Sequence, residues 1–113
     1  MSELMRLLDN LISLTKSGKI NWRADDGYAP KKFFLSTPSF RIIFLVPGGI
    51  AQEFIIHDEE GNIIEDIPLI NVSDPNMRNM FVALLREINQ KIMEKRKKSL
   101  DKLIGEVVQL GNK

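Results

Sequence analysis

A helical pattern over residues 75–110 constrains this chain more than any other feature of its sequence. Asp74 suits the N-cap of such a helix, and Pro75 suits its first turn. A continuous helix of about 36 residues would measure about 54 Å, because each residue adds about 1.5 Å. A compact chain of 113 residues has a radius of gyration of only about 13 Å. We therefore expect part of the helix to project from the body or to bend back onto it.

The character of this helix changes part-way along its length. Its first half carries apolar residues that cluster on one face and predict a helix covering a sheet: Met77, Met80, Phe81, Leu84, Leu85, Ile88 and Ile92. The continuation of that face is basic and consists of Lys91, Lys95, Lys98 and Lys102. A second apolar face follows, rotated by roughly a quarter to a third of a turn: Leu100, Leu103, Ile104, Val107 and Val108. The two apolar faces cannot contact one flat sheet.

Two arrangements accommodate the second apolar face. In one, the helix breaks near residues 97–99, and Ser99 caps a final helix that folds back. In the other, the helix continues and buries the second face against a partner chain. A sustained heptad would drift in the opposite sense, by about −20° per seven residues, so one coiled-coil seam does not explain both faces. We favour the second arrangement and predict that residues 93–110 form a C-terminal helical extension used for self-association.

The chain begins with a shorter amphipathic helix. Apolar residues recur at three- and four-residue spacing from Leu4 to Leu14, Ser2 can cap the start, and Gly18 suits the end. The period then changes to two, because Ile20 and Trp22 alternate with polar residues. This alternation predicts a short strand, with Trp22 packed under the helix.

The middle of the chain is typical of an antiparallel sheet. Four runs of aromatic and β-branched residues cover positions 33–35, 40–46, 54–57 and 63–67. The connections between them are too short for parallel crossovers, and Gly61 suits the left-handed position of a hairpin loop. We therefore predict an α+β fold in which residues 1–113 form a single domain: an N-terminal helix, an antiparallel meander of four to five strands and a long C-terminal helix. The predicted core comprises Leu7, Leu8, Leu11, Trp22, Phe34, Phe44, Phe54, Ile56, Phe81, Leu84 and Ile88.

Composition excludes most kinds of chemical site. The chain has no cysteine and one histidine, which argues against disulfides, thiol nucleophiles and zinc centres. No apolar run approaches the roughly 18–20 residues of a membrane span, and residues 1–3 lack the pattern of a signal peptide. We therefore expect a cytoplasmic protein with no membrane partner.

No motif in the sequence indicates catalysis. Residues 57–60 place one histidine beside three acids, but this is a strand end followed by a turn, without the spacing of a calcium loop. Asp25 and Asp26 suit a turn better than a catalytic pair, and Gly48 and Gly49 lack the spacing of a phosphate loop. We expect no catalytic residue, no metal and no cofactor.

The lysine face supports a second hypothesis. Residues 91–102 carry a charge of +4, against −3 for the rest of the chain. Lysines at this spacing can follow a phosphate backbone, although no arginine or aromatic residue is interleaved with them on that face. A solvated face, or one that meets an acidic partner, is the favoured interpretation, and nucleic-acid binding is the alternative.

The chain resembles two groups of known proteins. Residues 11–22 read LISLTKSGKINW, and the later Asp58, Gly61, Ile64 and Glu65 fit a hairpin. This pattern resembles small uncharacterised bacterial and phage-associated proteins with an LxxLTxxGKIxW opening, for which no established activity is implied. The lysine-rich extension after Ile92 is not part of their pattern. The order of elements is similar to that of the dimeric YbaB-type nucleoid-associated family, which implies duplex DNA binding, although the longer first helix of that family is missing.

These observations favour a non-enzymatic protein–protein interaction module. We expect a homo-oligomer that acts as an adaptor, inhibitor or immunity-type protein of a bacterial or phage system, with an unidentified protein partner. The alternative is a small nucleic-acid-binding protein that uses the lysine-rich face of its C-terminal helix.

Overall fold

A computed structural model describes residues 2–25, 32–46 and 52–112 of the chain. Its elements, in chain order, are α1 (Glu3–Lys16), β1 (Arg23–Ala24), β2 (Lys32–Ser36), β3 (Phe40–Leu45), β4 (Glu53–Asp58), β5 (Ile63–Pro68), a short 3-10 turn (Leu69–Asn71) and α2 (Pro75–Gly111). The predicted α+β fold, with two helices around an antiparallel sheet, is confirmed.

Local chemistry explains the ends of α1. The Ser2 hydroxyl accepts a hydrogen bond from the Met5 backbone N–H at 3.1 Å, which satisfies one of the free donors of the first turn. At the other end Gly18 has φ +75°, a conformation that glycine adopts without strain. The Lys19 N–H then donates to the Leu14 carbonyl at 3.0 Å and closes the helix.

The five strands form a meander in the order β1-β2-β3-β4-β5, with every neighbouring pair antiparallel. The loop between β4 and β5 is as predicted: Gly61 has φ +87°, and the Asp58 carboxylate accepts from the backbone N–H groups of Glu60 and Asn62 at 3.0 and 2.8 Å. The predicted turns at Asp26 and at residues 47–49 lie outside the described residues.

The core lies between one face of the sheet and the two helices. The register places Phe33, Phe44 and Phe54 side by side on this face. Phe81 of α2 packs edge-on against Phe44 and Phe54, with ring centroids 6.3 and 5.2 Å apart. Leu8 of α1 belongs to the same cluster and is fully buried. Aromatic contacts between the layers therefore fix α2 across the sheet.

Three details of the prediction are wrong. The strand expected around Ile20 and Trp22 is confined to Arg23–Ala24, and Trp22 reaches the core from the segment before it. Phe34 is not in the core, because neighbouring strand residues point to opposite faces and Phe33 occupies the inner position. Leu7 is only partly buried, at the margin of the cluster.

The long helix is continuous over 37 residues from Pro75 to Gly111. The Asp74 carboxylate caps its start by accepting from the Asn76 N–H at 2.9 Å. The alternative in which Ser99 caps a separate final helix is wrong, since helical structure runs through that position. The described residues extend 59 Å along the longest axis and only 31 and 26 Å along the others, with a radius of gyration of 16.8 Å.

Candidate functional site

The second half of α2 contributes no buried residue to the core. We call residues 93–110 the C-terminal arm; every residue in it is exposed. Its apolar side chains are between 49% and 66% exposed over Leu100–Leu110, and Met93 reaches 69%. The predicted self-association residues are among them, and they lie together along one side of the arm: Leu100, Leu103, Ile104, Val107 and Val108.

The exposed apolar side of the helix also begins earlier than the sequence reasoning placed it. Val82 is 45% exposed although it belongs to the part of α2 that covers the sheet. At 100° per residue, Val82 and Met93 lie on the same side as Leu100. The signal was present in the sequence, since Met93 precedes Leu100 by one heptad and Val82 precedes Leu103 by three heptads.

The lysine face is divided by the fold. Lys91, Lys95 and Lys98 line a cleft of about 250 Å³, whereas Lys102 lies farther out on the arm. The opposite wall of this cleft is the segment between α1 and β1, and it includes Gly18, Ile20, Asn21 and Trp22. Lys91 is 3.6 Å from the Glu94 carboxylate, one turn along the helix. The structure therefore brings together three of the four predicted lysines. It places them against the segment between α1 and β1, a proximity that the periodic patterns of the sequence do not predict.

A hydrogen-bond relay fixes the tryptophan wall of the cleft. The Trp22 indole N–H donates to the Thr15 hydroxyl at 2.9 Å, and that hydroxyl donates to the Leu11 carbonyl at 2.6 Å. Trp22 is 3% exposed and Thr15 is fully buried. The sequence reasoning missed Thr15; its signal was a hydroxyl residue on the apolar stripe of α1, where its side chain can bond the carbonyl four residues earlier.

A second cleft, of about 390 Å³, lies on the sheet face opposite the helices, and its walls are Asn21, Arg23, Phe34, Ser36 and Arg41. The Arg41 guanidinium lies 5.0 Å from the centre of the Phe34 ring, and the Lys32 ammonium lies 5.9 Å from it. Both distances are within the range of cation–π attraction. The sequence reasoning missed this group because it treated Phe34 as a core residue.

The acidic residues do not assemble a metal centre within the described ranges, where no three metal-ligating side chains come together. Hydrogen bonds, chiefly from the Asn62 backbone N–H, lower the pKa of the Asp58 carboxyl below its usual range. Between the neighbouring strands β4 and β5, a hydrogen bond with Asp66 raises the pKa of Glu53, because one of the two carboxyl groups must carry a proton to donate that bond. The Asp25 carboxylate accepts a hydrogen bond from the Lys32 backbone N–H at 3.2 Å, between the end of β1 and the start of β2.

A scan against family models and searches of curated proteins and solved structures found no significant match to this chain. Neither helix of the described ranges combines the length and apolar character needed to cross a membrane.

Proposed function

We propose that this protein is a non-enzymatic protein–protein interaction module that self-associates through its C-terminal arm. The observation that carries the proposal is the arm itself, which presents half-exposed leucine, isoleucine and valine side chains along one side. Large exposed apolar patches on a protein surface mark interaction sites. The occupant we infer is the arm of a second copy, because a matching apolar face of equal length is available on every molecule.

Charge favours an antiparallel pairing of the two arms. The first part of the arm is basic, with Lys95, Arg96, Lys97 and Lys98, whereas the part after Lys102 carries only the acidic Glu106. The carbonyl end of a helix also bears partial negative charge. An antiparallel pair places the basic start of one arm beside the acidic end of the other, centred near Leu100 and Leu103, whereas a parallel pair aligns the basic segments.

The apolar side chains of the arm contribute enough to the free energy of dimer formation for substitutions to test the proposal. Fully burying a leucine or valine side chain contributes about 1.5–3 kcal/mol. Because the side chains of the arm are about half exposed, each can contribute roughly half of that free energy when a dimer forms. Replacing Leu103 and Val107 by aspartate removes two such contributions from each copy, which is about 3–6 kcal/mol per dimer. That loss corresponds to a dissociation constant at least about 100-fold higher.

Light scattering on the intact chain and on the Leu103→Asp, Val107→Asp variant tests the proposal. We expect a dimer of the intact chain at tens of micromolar and a monomer of the variant. The matched control is Lys102→Gln with Gln109→Asp, which lowers the net charge by the same two units on the opposite side of the same helix and leaves the dimer intact. A monomeric intact chain, or equal association of all variants, would contradict the proposal.

The orientation of the arms is a separate measurement. The chain has no cysteine, so Asn112→Cys provides one spin-labelling position per copy. Antiparallel arms centred near Leu100 and Leu103 place the two labels about 30 Å apart, whereas parallel arms place them side by side. A short distance between labels would therefore overturn the antiparallel arrangement.

The proposed biological setting follows from the motif at residues 11–22. We propose that the dimer acts as an adaptor, inhibitor or immunity-type protein in a bacterial or phage system. Support comes from the resemblance of LISLTKSGKINW to proteins of that origin.

A further inference from the structure

The two basic clefts adjoin one another. We call the cleft lined by Lys91, Lys95 and Lys98 the lysine cleft, and the cleft on the opposite face of the sheet, lined by Arg23 and Arg41, the arginine cleft. Asn21 is a wall residue of both. Because β1 is the edge strand, a path over Asn21 leads around the sheet edge from one cleft to the other. We call this path the edge groove.

Positive charge predominates along the edge groove. Its lining includes five cationic side chains and one acidic side chain: Lys91, Lys95, Lys98, Arg23, Arg41 and Glu94. Glu94 lies beside Lys91 at 3.6 Å, so the excess charge is concentrated at the other four. Low-dielectric walls strengthen such a field, and here they are formed by Ile20, Trp22 and Ile92.

The tertiary structure also supplies the aromatic component that the lysine face lacks. Phe34 lies in the second cleft, half-buried, with the Arg41 guanidinium over its ring. Phenylalanine rings and arginine guanidinium planes both stack on nucleobases. A groove that combines separated cations with one such platform has the composition of single-strand binding sites.

From these observations we infer that the edge groove binds single-stranded nucleic acid. Lys95, Lys98 and Arg23 bind successive phosphates, and a base stacks on the Phe34–Arg41 pair. A duplex is a poor fit, because its bases are already stacked and a stiff rod cannot follow a path around the sheet edge. The groove does not use the self-association surface, since Lys95 and Lys98 lie on the side of the arm opposite its apolar residues, and Lys102 is not part of its lining.

The groove is formed before any ligand arrives. The relay from Trp22 to Thr15 and Leu11 holds the wall of the lysine cleft, so binding requires little ordering of that wall. Trp22 is also the only tryptophan in the chain, and it lines the cleft. Its intrinsic fluorescence therefore reports occupancy without any label on the protein.

The test is a titration of 12-nucleotide oligouridylate, oligothymidylate and a 12-base-pair duplex, followed by tryptophan fluorescence and by anisotropy of a labelled strand. We expect both single strands to bind at 50 mM salt and the duplex to bind more weakly. For single strands, the logarithm of the binding constant falls against the logarithm of salt concentration by about 0.7 per phosphate neutralised. Absence of binding at 100 μM protein, or tighter binding of the duplex, would overturn the inference.

Paired substitutions separate the edge groove from the lysine face alone. Lys95→Gln with Lys98→Gln should lower the salt slope by about 1.4, which is about 25-fold weaker binding at 0.1 M salt if binding at 1 M is unchanged. Arg23→Gln with Arg41→Gln should lower the slope by about 0.7, because only Arg23 binds a phosphate, and should also weaken binding at every salt concentration because the stacking of Arg41 is lost. Lys102→Gln is the matched control outside the groove and should change nothing.

Two outcomes with these variants would overturn the groove. One is an unchanged affinity of the arginine pair, and the other is a loss with Lys102→Gln as large as that of the lysine pair. Phe34→Leu tests the stacking platform and should weaken binding at least about fivefold at every salt concentration. The circular dichroism spectrum and the light-scattering mass of each variant, unchanged from the parent, show that fold and self-association are intact.

Discussion

The buried relay between Trp22 and Thr15 yields a prediction about stability. The indole N–H donates to the threonine hydroxyl at 2.9 Å, and both side chains are buried. Thr15→Val retains nearly the same shape but removes the acceptor. The indole N–H then remains buried without a partner, which costs about 1–3 kcal/mol. For a domain of this size, that loss lowers the melting temperature by about 4–12 °C.

Urea unfolding followed by circular dichroism measures this loss, with all variants at one protein concentration because self-association affects apparent stability. Thr15→Ser is the matched control, since it retains the hydroxyl and should preserve the hydrogen bond. Trp22→Phe removes the donor, and the double variant Thr15→Val with Trp22→Phe completes the cycle. The double variant should be more stable than the sum of the two single losses indicates, by at least about 0.5 kcal/mol. Additive losses, or a Thr15→Val loss below about 0.5 kcal/mol, would refute the reasoning.

Three further predictions concern the core and two carboxyl groups. Leu84→Ala should destabilise the fold by about 2–5 kcal/mol in denaturant unfolding, because Leu84 is fully buried; a loss below about 1 kcal/mol would contradict this. Glu53→Gln should raise the melting temperature at pH 7, because Asp66 raises the pKa of Glu53 and so disfavours its ionised form, but not at pH 3, where Glu53 is protonated; an equal effect at both would argue against the pair. Asp58 should titrate below 3.8 by NMR, since hydrogen bonds from Asn62 favour its ionised form. The resulting stabilisation is complete above pH 3.8 and is lost as the pH falls through the lower folded value, a loss that Asp58→Asn should abolish.

Local chemistry made much of the fold predictable. The cap at Ser2, the left-handed Gly18 and the Asp74–Pro75 start of α2 are decided by backbone groups within a few residues of each side chain. The turn at Gly61 follows in the same way. These features depend on near neighbours in the chain, so a single sequence suffices to place them.

Packing decided the features that the prediction placed wrongly. The consecutive residues Phe33, Phe34 and Leu35 are all apolar, so the pattern does not show which side faces the helices. Phe33 pairs with Phe44, which packs against Phe81 of α2, so packing of the helix on the sheet selects the side of Phe33. Trp22 likewise appeared to be a strand residue, whereas its bond to Thr15 holds it in the segment before the strand.

The rotation from a lysine face to an apolar arm is a property of the sequence by itself, because a helix of fixed period determines the direction of every side chain along it. The edge groove is not such a property. It joins Lys95 and Lys98 to Arg23, Phe34 and Arg41 across more than fifty positions of the chain. That juxtaposition depends on strand order, on register and on the height at which α2 crosses the sheet. All three are determined by burial of the whole core, which no local repeat in the sequence encodes.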